Sequence, residues 1–229
     1  MANILNIETS TEVCSVALGS EGQVLEHYEN YDGQTHATLL SAYVSDVLKY
    51  VRSREIKLDA VAVSIGPGSY TGLRIGLSEA KGLAFGMNIP LIAVNTLQLL
   101  TVSTMFNQFI DDDVLYAPMI DARRMEVYTA LYTRALNTVS AVEAKVIDST
   151  SFAEQLDQHP IYFFGNGADK CREVITHPNA HFLPGIVPQA KWMSPLAEKA
   201  HARGQFEDVA YFEPFYLKEF VAKPSKKLI

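Results

Sequence analysis

Two short apolar runs, Ile4 to Ile7 and Val13 to Leu18, flank the polar stretch Glu8-Thr9-Ser10-Thr11-Glu12, and a turn at Ser20-Glu21-Gly22 leads into Gln23 to Tyr28. Short runs bounded by turn residues predict a three-stranded antiparallel meander. From His36 to Val51, the residues Leu39, Leu40, Tyr43, Val44, Val47, Leu48 and Val51 recur every three or four positions. That period predicts an amphipathic helix. Asp59 to Ile65 reads as a buried strand, and Gly66-Pro67-Gly68-Ser69-Tyr70-Thr71-Gly72 is too rich in glycine for regular structure. A helix from about Thr71 to Phe85 and an apolar strand from Pro90 to Val94 follow.

Strand, strand, strand, helix, strand, helix, strand is an α/β order in which helix-connected strands extend a meander. It resembles the ribonuclease-H-like lobe. A helix is expected from Thr96 to Phe106, and Asp111-Asp112-Asp113 reads as a solvated connection. We therefore expect one lobe over residues 1–108, carrying the two long helices, and a smaller one over 109–229 whose tail packs back on the first. In the second lobe, Val114 to Ile120, Met125 to Tyr132 and Ala141 to Ile147 form a degenerate meander. Ile161 to Phe164 is a further strand ending in Gly165-Asn166-Gly167-Ala168, with helical stretches after it.

Composition narrows the function classes. The 229 residues are 48% hydrophobic and 20% charged, which excludes a disordered or fibrous chain. With 19 basic and 26 acidic side chains the net charge is 19 − 26 = −7, so the chain as a whole is not drawn to phosphate backbones. The basic residues Lys218, Lys223, Lys226 and Lys227 are expected to add little beyond solvation. No apolar stretch is long enough to span a bilayer, and the start lacks the basic-then-apolar pattern of a signal peptide, so a cytoplasmic location is expected. Cys14 and Cys171 are far apart and lack metal-ligand companions; both read as core residues.

Little of the chemistry is conventional. The block Gly66 to Gly76 has neither the Walker Gly-Lys-Ser/Thr ending nor dinucleotide spacing, so an anion cradle and a tight packing turn both remain open. Gly72, Gly76, Ala80 and Ala84 fall four apart and share one helix face, suited either to an intra-chain neighbour or to a subunit contact. Of six histidines only His177 and His181 have helical ligand spacing, and Pro178 lies between them, so no metal site is expected. Serine and cysteine nucleophile patterns are missing too. Glu8, Thr9 and Ser10 in one lobe, with Gly165, Asn166 and Gly167 in the other, could face a nucleotide phosphate across a cleft, or be plain turns. A kinase would be the enzyme hypothesis.

Four blocks carry a resemblance over essentially the whole chain. Ile4-Leu5-Asn6-Ile7-Glu8-Thr9-Ser10-Thr11, the long glycine block to Gly76, Asp121-Ala122-Arg123-Arg124-Met125-Glu126-Val127-Tyr128 and Pro214-Phe215-Tyr216-Leu217-Lys218 resemble the signature blocks of the bacterial TsaB (YeaZ) family. The resemblance implies an actin-like ATPase (ASKHA) fold of two ribonuclease-H-like lobes. It implies a non-catalytic role in tRNA threonylcarbamoyladenosine formation, in which TsaC makes threonylcarbamoyl-AMP and TsaD transfers the group with TsaB and the ATPase TsaE.

The same resemblance implies a heterodimer with TsaD, or a homodimer in its absence, through the first two helices. Leu39, Tyr43, Val47, Gly72, Arg74, Gly76 and Ala80 are the expected contact residues. It implies no tightly bound cofactor, with ATP or ADP and magnesium placed at the TsaD junction, and tRNA met only through the complex. The catalytic relative carries His-x-x-x-His where this chain has Thr96 and Leu100. Glu8 stands where the superfamily has aspartate. The alternative reading is a stand-alone ATP-binding enzyme or a residual glycoprotease-like peptidase.

Overall fold

A computed structural model describes residues 2–33, 35–110 and 113–218. The tail lysines 223, 226 and 227 and two of the three linking aspartates lie outside the described residues.

The first lobe holds a sheet of β1 (Asn3–Glu8), β2 (Cys14–Ser20), β3 (Gln23–Asn30), β4 (Ala60–Gly66) and β5 (Leu91–Asn95) in the order β3-β2-β1-β4-β5. β1 to β3 form the antiparallel meander; β4 and β5 join in parallel. Parallel strands need long crossovers, here α1 (His36–Ser53) and α2 (Tyr70–Met87). α1 buries His36, Leu40, Val44, Val47 and Val51, a row spaced by successive steps of four, four, three and four. Each of its aliphatic members contributes about 1.5–3 kcal/mol by leaving water. They meet Leu5, Ile7, Val16, Val61, Val63 and the inner row of α2 in one core.

α3 (Thr96–Asn107) starts where the Asn95 side chain accepts from the amides of Leu97 and Gln98, at 2.9 and 3.2 Å. That cap is worth about 1 kcal/mol. Its leucines serve both lobes: Leu99 packs with Ile4, Ala62 and Ile92, whereas Leu97 and Leu100 pack with Tyr116, Ile120 and Phe164.

The second sheet has β6 (Leu115–Asp121), β7 (Glu126–Tyr132), β8 (Thr138–Val146), β9 (Ile161–Phe164) and β10 (Ala180–Leu183) in the order β8-β7-β6-β9-β10, strand for strand the order of the first. Its crossovers have shrunk to α4 (Ala153–Gln158) and a 3-10 turn at Asp169–Cys171. The expectation of helices after Gly167 is corrected in part, since Ala180–Leu183 is a strand paired in parallel with β9. Gly66 and Gly165, at matching strand ends, have φ of 114° and 102°, and a side chain on either would meet a carbonyl oxygen, that of Phe215 or of Met119.

The chain then returns to the first lobe. A 3-10 turn at Ala190–Trp192 and α5 (Ser194–Ala202) cover the face of the first sheet opposite α1 and α2, with Met193 and Ala197 packed on Ile4, Ala60 and Ile92. The segment after α5 follows β5 and α2, where Glu207 N–H donates to Leu91 O at 2.9 Å and Phe215 N–H to Ile65 O at 2.8 Å. More than the tail thus returns: α5 and the described segment after it as far as Phe215 pack on the first lobe. Among the described residues no helix is long and apolar enough to cross a membrane.

Candidate functional site

Between the lobes lies a cleft of about 1330 Å³. One wall carries the N-terminal turns of α1 and α2, with His36, Ala37 and residues 67–73. The other carries the β6–β7 hairpin, including Arg123 and Arg124, with Asn166 at the edge. Phe215 to Lys218 close one side, and the ring of Tyr216 stands 5.0 Å from that of Tyr70.

The glycine block holds this wall against the β1–β2 loop. Ser69 N–H donates to Ser10 O at 2.7 Å, and Ser69 Oγ caps α2 by accepting from Gly72 N–H at 3.2 Å. A Cβ on Gly72 would collide with the Thr9 carbonyl, and one on Gly76 with the Thr9 hydroxyl, which itself donates to Gly72 O at 2.8 Å. Of the two roles left open for the small-residue row, the intra-chain one is realised.

Gly72, Gly76, Ala80 and Val47, expected in a partner contact, are buried within the chain. Leu39 and Tyr43 are half-buried, with Tyr43 stacked on Tyr28 at 5.6 Å, and Arg74 is exposed with its guanidinium bonded to the Tyr70 hydroxyl at 2.8 Å. α2 carries a second small row facing outward. Ser78, Gly82 and Gly86 are exposed beside Phe85, which is 82% exposed, and nothing lies within 4 Å of a Cβ built on either glycine.

The phosphate-facing set is also redistributed. Glu8 is fully buried and lies off the cleft wall; its Oε1 accepts from Ser10 N–H at 2.5 Å while Oε2 has no partner. Burial pushes its carboxyl up to about 7, against the opposing hydrogen bonding of Ser10, Ser64 and Thr9. A neutral acid is a poor magnesium ligand. Thr9 is buried on Gly76, and Gly165 and Gly167 press on the backbone of β6, with Gly167 N–H donating to Met119 O at 3.0 Å. Only Ser10 and Asn166 of the six reach the cleft. The carboxylate that the β1–β2 loop does bring to the wall is Glu12, which accepts from Asn166 Nδ2 at 3.0 Å; Asp32, Asp121 and Glu126 line the cleft as well.

Sequence reasoning passed over His36, Arg123 and Arg124. Arg123 and Arg124 have φ of 73° and 50°, a left-handed pair that only a hairpin-geometry argument would have flagged. Thr96 and Leu100 are both buried, Thr96 Oγ1 accepting from Gly66 N–H at 3.1 Å and Leu100 sitting in the inter-lobe core. Among the described residues no cluster of three His, Cys, Asp or Glu could hold a metal ion.

A family profile described as TsaD, tRNA N6-adenosine threonylcarbamoyltransferase, matches residues 26–224. The tRNA threonylcarbamoyladenosine biosynthesis protein TsaB of Escherichia coli K12 is 32% identical over 228 residues, covering 96% of each chain. The chain belongs to the TsaB family. YeaZ from Pseudomonas aeruginosa superposes with a TM-score of 0.80 at 28% identity, over 95% of this TsaB-family chain and all of that one. The activator of 2-hydroxyisocaproyl-CoA dehydratase from Clostridium difficile, with bound ADPNP, superposes at 0.50 and 7% identity over 90% of this chain and 98% of its own. That likeness concerns the fold alone, and with the duplicated sheets it makes this TsaB-family chain an actin-like ATPase fold.

Proposed function

We propose that this chain is a non-catalytic subunit of the machinery that forms threonylcarbamoyladenosine in tRNA. It docks a TsaD-type transferase through α1 and α2, works with TsaE, and depends on TsaC for threonylcarbamoyl-AMP. The observation that carries the reading is the replacement of the transferase's two histidine places by Thr96 and Leu100, both buried and both packing the chain's own core. Imidazoles there would need an opening to solvent and substrate, and this sequence fills the space instead. The stand-alone ATP-binding reading is weakened by Glu8, whose carboxyl is enclosed and, raised to about 7 by burial, holds its proton well above the ordinary carboxylate range.

The docking face follows from the outward rows. Ser78, Gly82 and Gly86 on α2 and Thr38, Ala42 and Ser45 on α1 are exposed, and the two helices are tied by Ser41 Oγ donating to Glu79 at 3.1 Å. Small outward residues let a partner helix approach closely, with Phe85 as an anchor for a facing pocket. The same face serves a homodimer when the transferase is absent. Any ATP or ADP with magnesium belongs to the junction with the transferase, and tRNA is met within the cytoplasmic complex. Size-exclusion chromatography of the chain with its cognate TsaD, followed by a transfer assay of each alone, tests the proposal. A stoichiometric complex and no transfer by this chain alone are expected; transfer by the chain alone would refute it.

A further inference from the structure

We propose that the outer edge of β8 is an interaction surface for a second copy of this chain, which adds its own β8 antiparallel across a two-fold axis at Ala144. The contact would join two second-lobe sheets into one. It shares no residue with the α1–α2 docking face and does not depend on the subunit role.

The backbone defines the edge. β8 ends one side of the second sheet, and among the described residues no strand pairs with its outer side. Ile147 N–H donates to Met125 O at 2.7 Å, and the register with β7 runs without a shift from Val146 opposite Glu126 to Glu143 opposite Thr129. Amides alternate between the two edges of a strand. Glu143, Lys145 and Ile147 are therefore turned to β7, and Val142, Ala144 and Val146 point their N–H and C=O groups outward. This stretch has neither the proline nor the bulge that commonly blunts an edge. Its last residue, Val146, is 67% exposed.

The side chains select the occupant and the register. An axis at Ala144 sets Glu143 opposite Lys145 of the second copy, and Lys145 opposite its Glu143. Both lie on one face of the sheet, where they already pair within the chain at 3.0 Å and the Lys145 ammonium lies over the Phe152 ring at 5.2 Å. Four charges of alternating sign then close a ring. Moving the axis one residue, to Glu143 or to Lys145, would instead set two carboxylates or two ammonium groups face to face. On the other face the same axis places Val146 opposite Val142 and covers the exposed valine. The outward groups of Val142, Ala144 and Val146 meet their counterparts in about six backbone hydrogen bonds. Such a contact is isologous and closes at two copies. Its area is small, so the dimer is weak and concentration-dependent.

Sedimentation velocity of the full chain at up to about 1 mM, the range in which a contact of this size binds, tests the proposal. All samples carry Gly82→Leu, which fills the α1–α2 face, so a dimer through that face does not enter the readout. Glu143→Lys and Lys145→Glu each alter a half-exposed ion pair of little stability, so folding is not at stake. Each alone brings four like charges together and should weaken the dimer at least tenfold. An equimolar mixture of the two variants restores opposite signs across the axis and should dimerise within about threefold of the parent. Hydrogen exchange should slow with concentration at the amides of Val142, Ala144 and Val146 and stay constant at that of Lys145. A parent that is monomeric throughout, a dimer that neither single variant weakens, or a mixture that stays monomeric would overturn the interface.

Discussion

Asn166 joins the lobes at the cleft: its side-chain amide donates to Glu12 at 3.0 Å, and its carbonyl accepts from Asp121 N–H at 3.0 Å. A single side chain thus bridges the β1–β2 loop of one lobe and the end of β6 in the other. Because Asn166 and Glu12 are exposed, Asn166→Ala should cost only about 1 kcal/mol in urea unfolding. The local effect should be larger. Hydrogen exchange at the Asp121 amide is expected to speed up at least tenfold, and unchanged protection would mean the bridge does not hold the lobes.

The two small rows of α2 should respond oppositely to the same change. Gly72→Ala pushes a methyl group into the Thr9 carbonyl, which is backbone and cannot yield cheaply, so a loss of about 2 kcal/mol or more is expected. Gly82→Ala meets nothing within 4 Å and should gain about 0.5–1 kcal/mol from reduced freedom of the unfolded chain. Thermal melts of the two variants decide it; equal shifts would contradict the inward and outward assignment.

A related pair addresses docking. Gly82→Leu leaves the monomer's packing untouched yet fills the outward groove, so affinity for the cognate transferase should fall at least tenfold with the melting temperature preserved. Ala80→Arg would place a charge in the core beside Leu77 and Ala84 and should unfold the chain instead. A Gly82→Leu variant that binds normally would move the docking surface elsewhere.

Glu8 gives a pH dependence of definite sign. Its carboxyl lies near 7 in the folded chain against 4.5 for an ordinary glutamate, so the folded state holds this proton more tightly. The associated stability is complete below about 4.5 and is lost as pH rises through about 7, a change on the order of 3 kcal/mol. Glu8→Gln keeps an acceptor for Ser10 N–H but cannot ionise. Its stability advantage over wild type should therefore grow between pH 5 and 8 in paired urea titrations. A constant difference across that range would show that Glu8 is ionised throughout.

The first lobe was legible because its signals are long and redundant. Leu40, Val44, Val47 and Val51 repeat with the helical period, and Asn95 marks the start of α3 as a cap. β10 was not, since Ala180-His181-Phe182-Leu183 has no alternation and is a strand only through pairing with β9. In α2, spacing shows that Gly72, Gly76, Ala80 and Ala84 share a face, but it cannot say whether that face meets the sheet or a partner. The return of α5 to the first sheet depends on Met193 and Ala197 meeting Ile4 and Ile92, a contact between distant parts of the chain. At the site, residue type suggested Glu8, whereas position selected Glu12, Arg123 and Arg124, because a turn's left-handed backbone leaves no trace in two arginines.

The subunit role is tested most directly by reconstituting threonylcarbamoyladenosine formation on tRNA with cognate TsaC, TsaD and TsaE, with and without this chain, and measuring the modified nucleoside. The account predicts that modification falls to background when the chain is omitted and returns on its addition. Undiminished modification in its absence would contradict it.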